Sequence, residues 1–312
     1  MKDIGQETTR VAALQHAAPY IRLFQGKTFV VKAGGGAVAS DAARRALVAQ
    51  VDLLFRLGIR VVLVHGGGSQ SSELSRALGA EPRFVAGRRV TDAAALEVAT
   101  MVLCGSVNTQ LLAACRAVGL PAVGLSGVDA GLVHAVRRPP VLRDGERVDY
   151  GHVGDVAAVD PGVLETLLDA HLVPVVAPLS ADDSGALLNV NADTVASHLA
   201  VALGAEKLIL LTGAPGILER PNDPGSLVSY TDLPGLQRLR AAGCLERGML
   251  PKAESVEAAI VGGVRRVHIL SESLPDGLLA EVFTNEGVGT LVVESIQALS
   301  PAEQWVAEGA VA

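Results

Sequence analysis

At 312 residues the chain is long enough for one large α/β unit or two fused lobes. It is 49% hydrophobic but only 3% aromatic, so its core must be aliphatic, and its 34 glycines cluster at the ends of apolar runs, which implies many short turns rather than disorder. A net charge of −7 leaves no basic surface for nucleic acid, the three cysteines lack metal-binding spacing and suit a reduced, cytoplasmic setting, and neither an apolar signal core after Met1 nor 18 uninterrupted apolar residues offers a membrane segment.

Residues 8–24 place Val11, Leu14, Ile21 and Phe24 at helical spacing with Pro19 interrupting, which predicts an N-terminal helix. That helix either packs on its own domain or serves as an oligomerisation arm. Strand and helix patterns then alternate: strand 29–32, helix 40–57, strand 60–64 and helix 69–78, then a short hairpin at 85–90 and a helix over 92–118. A strand at 122–125 leads into a β excursion at 132–158, broken by Pro139-Pro140 and Asp144-Gly145. Helix 161–169, the apolar run 173–178, a polar loop at 180–188 and helix 192–203 follow. The remainder reads as strand 207–212, helices 233–241 and 251–262, strand 266–270, helix 275–284 and a last strand at 290–293. The alternation predicts an α/β fold, a three-layer αβα sandwich around an open, mainly parallel central sheet. Residues 1–25 form an arm, 26–180 an N-terminal lobe and 181–312 a C-terminal lobe, with a soft boundary at Asp182-Asp183-Ser184-Gly185.

Two of the apolar runs end in glycine. Phe29-Val30-Val31-Lys32-Ala33-Gly34-Gly35-Gly36 and Val61-Val62-Leu63-Val64-His65-Gly66-Gly67-Gly68 each read as a buried strand closing in a tight turn. Glycine lets backbone N–H groups approach an anion without Cβ interference, and a helix starting behind the turn adds its dipole. Lys32 adds a full positive charge. Tight packing of strand on helix explains one such turn equally well; two turns, one flanked by Lys32, favour phosphoryl transfer. The P-loop, a strand-linked dinucleotide fingerprint and the protein-kinase motifs are all absent.

Arg88 reads as a solvated surface charge, whereas spacing leaves Arg89 open between that and a bidentate carboxylate clamp. Asn189, Asn191 and Asp193 enter a helix as ordinary caps, or as groups that orient lysines or metal-bound phosphates. Gly248-Met249-Leu250-Pro251-Lys252 opens another helix, with proline in its first turn. Lys252 there meets an unfavourable dipole, a conflict that a bound anion resolves. His65 reads as a hydrogen-bonded core histidine and the cysteines as small core residues.

These pieces resemble a known family in their order and spacing. Val31-Lys32-Ala33-Gly34-Gly35, His65-Gly66-Gly67-Gly68, Gly87-Arg88-Arg89-Val90-Thr91-Asp92, Leu125-Ser126-Gly127-Val128-Asp129, Asn189-Val190-Asn191-Ala192-Asp193-Thr194, the run Ala205 to Thr212, Gly248-Met249-Leu250-Pro251-Lys252 and Gly287-Val288-Gly289-Thr290 are similar to motifs of the amino-acid kinase superfamily, and within it of the acetylglutamate kinases of arginine biosynthesis. The resemblance runs from about Pro19 to Val293 and implies the amino-acid kinase fold. It implies that residues 26–180 hold an acylated amino acid and form a dimer surface, and that residues 181–312 hold ATP, with Mg2+ bound alongside the nucleotide. It implies phosphorylation of the side-chain carboxylate of N-acetyl-L-glutamate to an acyl phosphate. By motif position, Lys32 and Lys252 would neutralise the phosphoryl in flight and Asp193 would orient both. Gly34, Gly35, Gly67 and Gly68 would supply backbone N–H donors. Gly67 and Gly68 would also hold the substrate, Arg89 its α-carboxylate and Asn189 its amide region; no side chain is implied as a metal ligand. The resemblance further implies a homodimer, or a homohexamer of dimers joined by the N-terminal helix as in arginine-inhibited members, without nucleic-acid or membrane partners.

The chain departs from the family at Ser106 of Gly105-Ser106-Val107-Asn108, where the family often has lysine, and at Arg247, where it has glycine. Gly213 stands in place of an aspartate, Ser69 in place of a proline, and Pro275-Asp276-Gly277-Leu278-Leu279 where inhibited members carry His-x-x-Leu-Leu. None removes a catalytic position. Two other readings stay open: the same chemistry on another acylated acidic amino acid, such as N-succinylglutamate or an N-acyl-2-aminoadipate, and a non-catalytic amino-acid sensor.

Overall fold

Valine, isoleucine and leucine fill the runs that become the central sheet. Thr28–Ala33 (β1) and Arg60–His65 (β2) are buried from their second residue onward, as strands covered on both faces must be. The computed structural model describes Gln15 and residues 17–296, apart from 86–87, 144, 222, 246–247 and 285–286. Within it, eight strands lie in the order Tyr230–Asp232, Thr290–Val293, Arg266–Ser271, Lys207–Thr212, β1, β2, Val173–Ala177 and Ala122–Ser126. Neighbours are parallel except Arg266–Ser271 with Thr290–Val293. Strands drawn from 28–177 make one half of the sheet and those from 207–293 the other, with β1 pairing Lys207–Thr212 at the seam.

Side chains alternate across β1. Phe29 and Val31 join Leu47, Val51 and Leu54 of helix Asp41–Arg56 on one face. Val30 joins Val195 and Leu199 of helix Ala192–Ala202 and Val256 of helix Met249–Val261 on the other. This is the expected αβα sandwich. By the same alternation Lys32 is directed to the face of Ala192–Ala202 and Met249–Val261. Both glycine turns fall at the C-terminal ends of adjacent parallel strands, the edge at which open α/β sheets bind ligands.

The expected helix over 92–118 is continuous from Ala93 to Val118, with a π-helical stretch at Met101–Val107. By length and composition it is apolar enough to cross a membrane, yet half of its most apolar window is buried inside the fold. At the N-terminus residues 17–24 are helical, Pro19 included, whereas Val11 and Leu14 lie outside the described residues. Phe24 stacks edge-on against Phe29 of β1 at 5.2 Å, so this end of the helix docks on its own domain, while Leu23 stays 60% exposed.

Two expectations need correction. The polar loop at 180–188 is a hairpin: Leu179–Ala181 pairs antiparallel with Leu187–Asn189. The Asp182 carboxylate accepts the N–H groups of Ser184 and Ala186, and Gly185 takes φ +82°, so the polar residues make a tight turn between two short apolar strands. Tyr230–Asp232 is an unexpected strand, three residues long and too short to leave a periodic signal.

A buried ionic chain ties the far half of the sheet together. Lys207 Nζ lies 3.0 Å from His268 Nε2, and His268 Nδ1 lies 2.6 Å from Glu281. The Glu281 carboxylate accepts the N–H groups of Val288 and Gly289, which fixes the Gly287-Val288-Gly289-Thr290 loop. Burial pushes the Lys207 ammonium down to about 7.

Candidate active site

Asn191 caps helix Ala192–Ala202 by accepting the N–H groups of Asp193 and Thr194. That cap sets Asp193 in the first turn, where the helix dipole favours an anion. Met249–Val261 starts on the same side and carries Lys252 in its first turn. Lys32, from β1, completes the group. Lys32 Nζ is 2.9 Å from Asp193 Oδ1 and Lys252 Nζ donates to Asp193 Oδ2 at 2.8 Å. All three side chains are buried. Burial pushes the Asp193 carboxyl up, but the two ammonium groups and their hydrogen bonds overcome it and hold it at about 2. Burial moves Lys252 below the ordinary lysine value, with Asp193 partly restoring it. The anion that relieves Lys252 of its unfavourable dipole is therefore, in part, the protein's own Asp193. Lys32, Lys252 and Asp193 taken together carry one net positive charge, and the Glu272 carboxylate acts on Lys252 as well.

The two glycine turns abut. Gly66 N–H donates to the Ala33 carbonyl at 2.9 Å and Gln70 Nε2 to the Gly35 carbonyl at 3.0 Å. Packing accounts for part of the glycine: a Cβ on Gly35 would lie 2.8 Å from Ser69 Oγ, and one on Gly67 2.7 Å from Leu103 Cδ2 of the π-helical stretch. Gly68 faces open space. It starts helix Gly68–Ala77, which has no side-chain cap among the described residues; the first N–H groups of a helix have no intrahelical partner, and such groups suit an anion.

Arg89 reaches the same turn. Its Nη2 donates to the Gly68 carbonyl at 2.9 Å and to Ser72 Oγ, and its guanidinium lies 4.9 Å over the Phe84 ring. Among the described residues its protein hydrogen bonds all come from Nη2, which leaves donors for a carboxylate. Asn189 is tied to Thr91 by a 3.3 Å hydrogen bond, and to the His152 carbonyl through its own N–H. Among the described residues it makes no hydrogen bond to Arg89 or to the lysines. His65 is the core histidine expected: Nδ1 donates to the Gly66 carbonyl at 2.9 Å and Nε2 accepts from Asn108 Nδ2 at 3.1 Å. Burial pushes it down to about 4, so it is neutral.

The structure brings strand-borne Lys32 together with helix-borne Asp193 and Lys252, and sets the two glycine turns against each other. A model of the amino acid kinase family matches residues 27–271. The chain belongs to the amino acid kinase family. The acetylglutamate kinase of Myxococcus xanthus is 51% identical over 288 residues, covering 90% of this chain and 94% of the relative. The acetylglutamate kinase of Symbiobacterium thermophilum is 48% identical over 290 residues, covering 93% and 99%. The structure of N-acetylglutamate synthase from Neisseria gonorrhoeae, complexed with coenzyme A and N-acetyl-glutamate, matches with a TM-score of 0.80 at 32% identity over 91% of this chain. This chain spans 63% of that synthase.

Three residues of this amino acid kinase escaped the sequence patterns. Arg88, read as a solvated charge, is half-buried and donates to Glu254 at 3.1 Å, joining the 84–89 hairpin to the helix of Lys252. Asn108, inside the departing Gly105-Ser106-Val107-Asn108 segment, holds His65 and the Val175 carbonyl, whereas Ser106 faces solvent and bonds back to Val102. Glu272, directly after strand Arg266–Ser271, lays its carboxylate where Cβ atoms on Gly34 and Gly36 would sit. Its Oε2 is buried and has no hydrogen-bond partner among the described residues. An acidic residue at a strand's C-terminal end was the available signal for it.

Proposed function

We propose that the chain transfers the γ-phosphoryl group of ATP to the side-chain carboxylate of N-acetyl-L-glutamate, giving N-acetyl-L-glutamyl 5-phosphate. The observation that carries this reading is the buried Lys32–Asp193–Lys252 cluster, two ammonium groups held by one carboxylate. Relatives named acetylglutamate kinase, 51% and 48% identical, supply the acceptor.

A carboxylate is already a nucleophile at neutral pH, so no general base is needed. Catalysis is positioning and charge stabilisation. Arg89 holds the α-carboxylate and Asn189 the amide end of the substrate. The N–H groups of Gly34, Gly35, Gly67 and Gly68 and the ammonium groups of Lys32 and Lys252 bind the phosphoryl oxygens. Asp193 keeps both lysines in place, and their burial strengthens each interaction with the developing charge. Mg2+ enters with the nucleotide and supplies further neutralisation of its phosphates. The N-terminal half of the sheet serves the acyl amino acid and the C-terminal half the nucleotide. The enzyme works in the cytoplasm within arginine biosynthesis as a homodimer, or as a hexamer of dimers linked by the N-terminal helix.

The test is a panel of acceptors with purified protein and Mg·ATP, trapping acyl phosphate as the hydroxamate. Turnover is expected with N-acetyl-L-glutamate in preference to N-succinylglutamate and N-acetyl-2-aminoadipate. Turnover of another acid alone retires the assignment, and no turnover of any acid favours a sensor.

A further inference from the structure

We propose that Glu272 is the protein's ligand for the divalent cation that enters with the nucleotide. The proposal rests on ATP as phosphoryl donor and not on which acid accepts. Glu272 lies at the C-terminal edge of the sheet, held by its N–H to the Thr212 carbonyl at 2.7 Å. Its side chain crosses to the first glycine turn and fills the space beside Gly34 and Gly36, two and four residues beyond Lys32. Its Oε1 is 3.9 Å from the Cβ position of Gly213. The carboxylate therefore sits among the turns that gather phosphate, and its charge is felt at Lys252.

A carboxylate in that place has two ways to meet a triphosphate. Facing it directly, two anions repel at close range. With a hard cation between them, both are satisfied. The state of Glu272 favours the second. The two lysine ammonium groups nearest the chemistry are held by Asp193, and among the described residues Oε2 is buried without a donor. A buried, unpartnered carboxylate oxygen is destabilising unless something pairs with it. Mg2+ in nucleotide sites takes one or two carboxylates and completes its shell with phosphate oxygens and water, so a single acidic side chain is enough.

The experiment is calorimetric titration of AMP-PNP into the full chain and its Glu272→Gln variant, with Mg2+ and with EDTA, no acceptor present. The variant is expected to bind Mg·AMP-PNP about tenfold more weakly, equivalent to about 1.4 kcal/mol, while binding metal-free AMP-PNP at least as well as wild type. With Mn2+ as the metal, the relaxation of solvent protons by the ternary complex is expected to rise in Glu272→Gln, because water takes the vacated position. Glu272→Ser serves as a second variant should Gln perturb the turn. Equal or tighter binding of Mg·AMP-PNP by the variants, or equal losses with and without metal, overturns the assignment. A chain that shows the metal effect but does not phosphorylate acetylglutamate upholds it and retires only the choice of acceptor.

Discussion

Asp193 and Lys252 lie 59 residues apart in sequence and meet at 2.8 Å from the first turns of two neighbouring helices. Lys32 reaches the other oxygen of the same carboxylate from the end of β1. One aspartate thus fixes two cations delivered by a strand and a helix, and both halves of the sheet contribute to the pair. Removing either end of this arrangement has different consequences.

Lys252→Ala leaves Asp193 paired with Lys32, so the fold is expected to survive while phosphoryl transfer falls by about 100-fold or more. Asp193→Asn strands two buried ammonium groups and is expected to lose about 3–5 kcal/mol of stability as well as activity. Urea denaturation beside steady-state kinetics separates the two. Equal stability losses in both variants would contradict the central position of Asp193.

His65 gives the fold a defined acid sensitivity. Its folded value of about 4 lies below the ordinary histidine value, so on descending from about pH 6.5 to 4 the unfolded chain gains a proton that the folded chain refuses. Its contribution to stability is full above about pH 6.5 and declines towards pH 4, by at most about 1.4 kcal/mol per pH unit. Unfolding free energy measured across that window is expected to slope less steeply in His65→Gln than in wild type. An unaltered slope would place the sensitivity elsewhere.

The Arg88–Glu254 pair crosses the site on the surface, with Glu254 61% exposed. A double-mutant cycle of Arg88→Ala and Glu254→Ala is expected to give a coupling of about 0.2–1 kcal/mol that fades in high salt. Strict additivity at low salt would mean that the pair does not hold the hairpin to the helix.

Two glycine substitutions should act in opposite directions. A Cβ on Gly124 meets Asn108 Oδ1 and, at 2.8 Å, Leu112 Cδ1, so Gly124→Ala is expected to lose about 1–3 kcal/mol by disturbing the Asn108–His65 contact. Gly105 lies in the long helix with open space at its Cβ position, and Gly105→Ala is expected to gain about 0.5–1 kcal/mol. Thermal melts of the two variants check both signs.

Much of this fold was legible because its strands are fully buried and read as continuous aliphatic runs, β1 and β2 most plainly. Lys32, Asp193 and Lys252 were legible because each breaks an apolar pattern beside a turn or a helix start. The hairpin at 179–189 was obscured because its turn is more polar than its three-residue strands are apolar. Arg88 and Glu272 were hidden for another reason. Their partners, Glu254 on a distant helix and the Gly34–Gly36 turn on another strand, are set by the tertiary path, and neither charge carries a periodic signal of its own. The glycine turns were half understood: close packing against Ser69 and Leu103 also requires glycine at Gly35 and Gly67.

The most direct measurement is 31P NMR of Mg·ATP and N-acetyl-L-glutamate mixed with the full chain and with Lys252→Ala. A kinase built on this site gives ADP together with an acyl-phosphate resonance that hydroxylamine abolishes, and the variant gives neither on the same timescale. ADP and inorganic phosphate without an acyl phosphate, or equal product from Lys252→Ala, would contradict it.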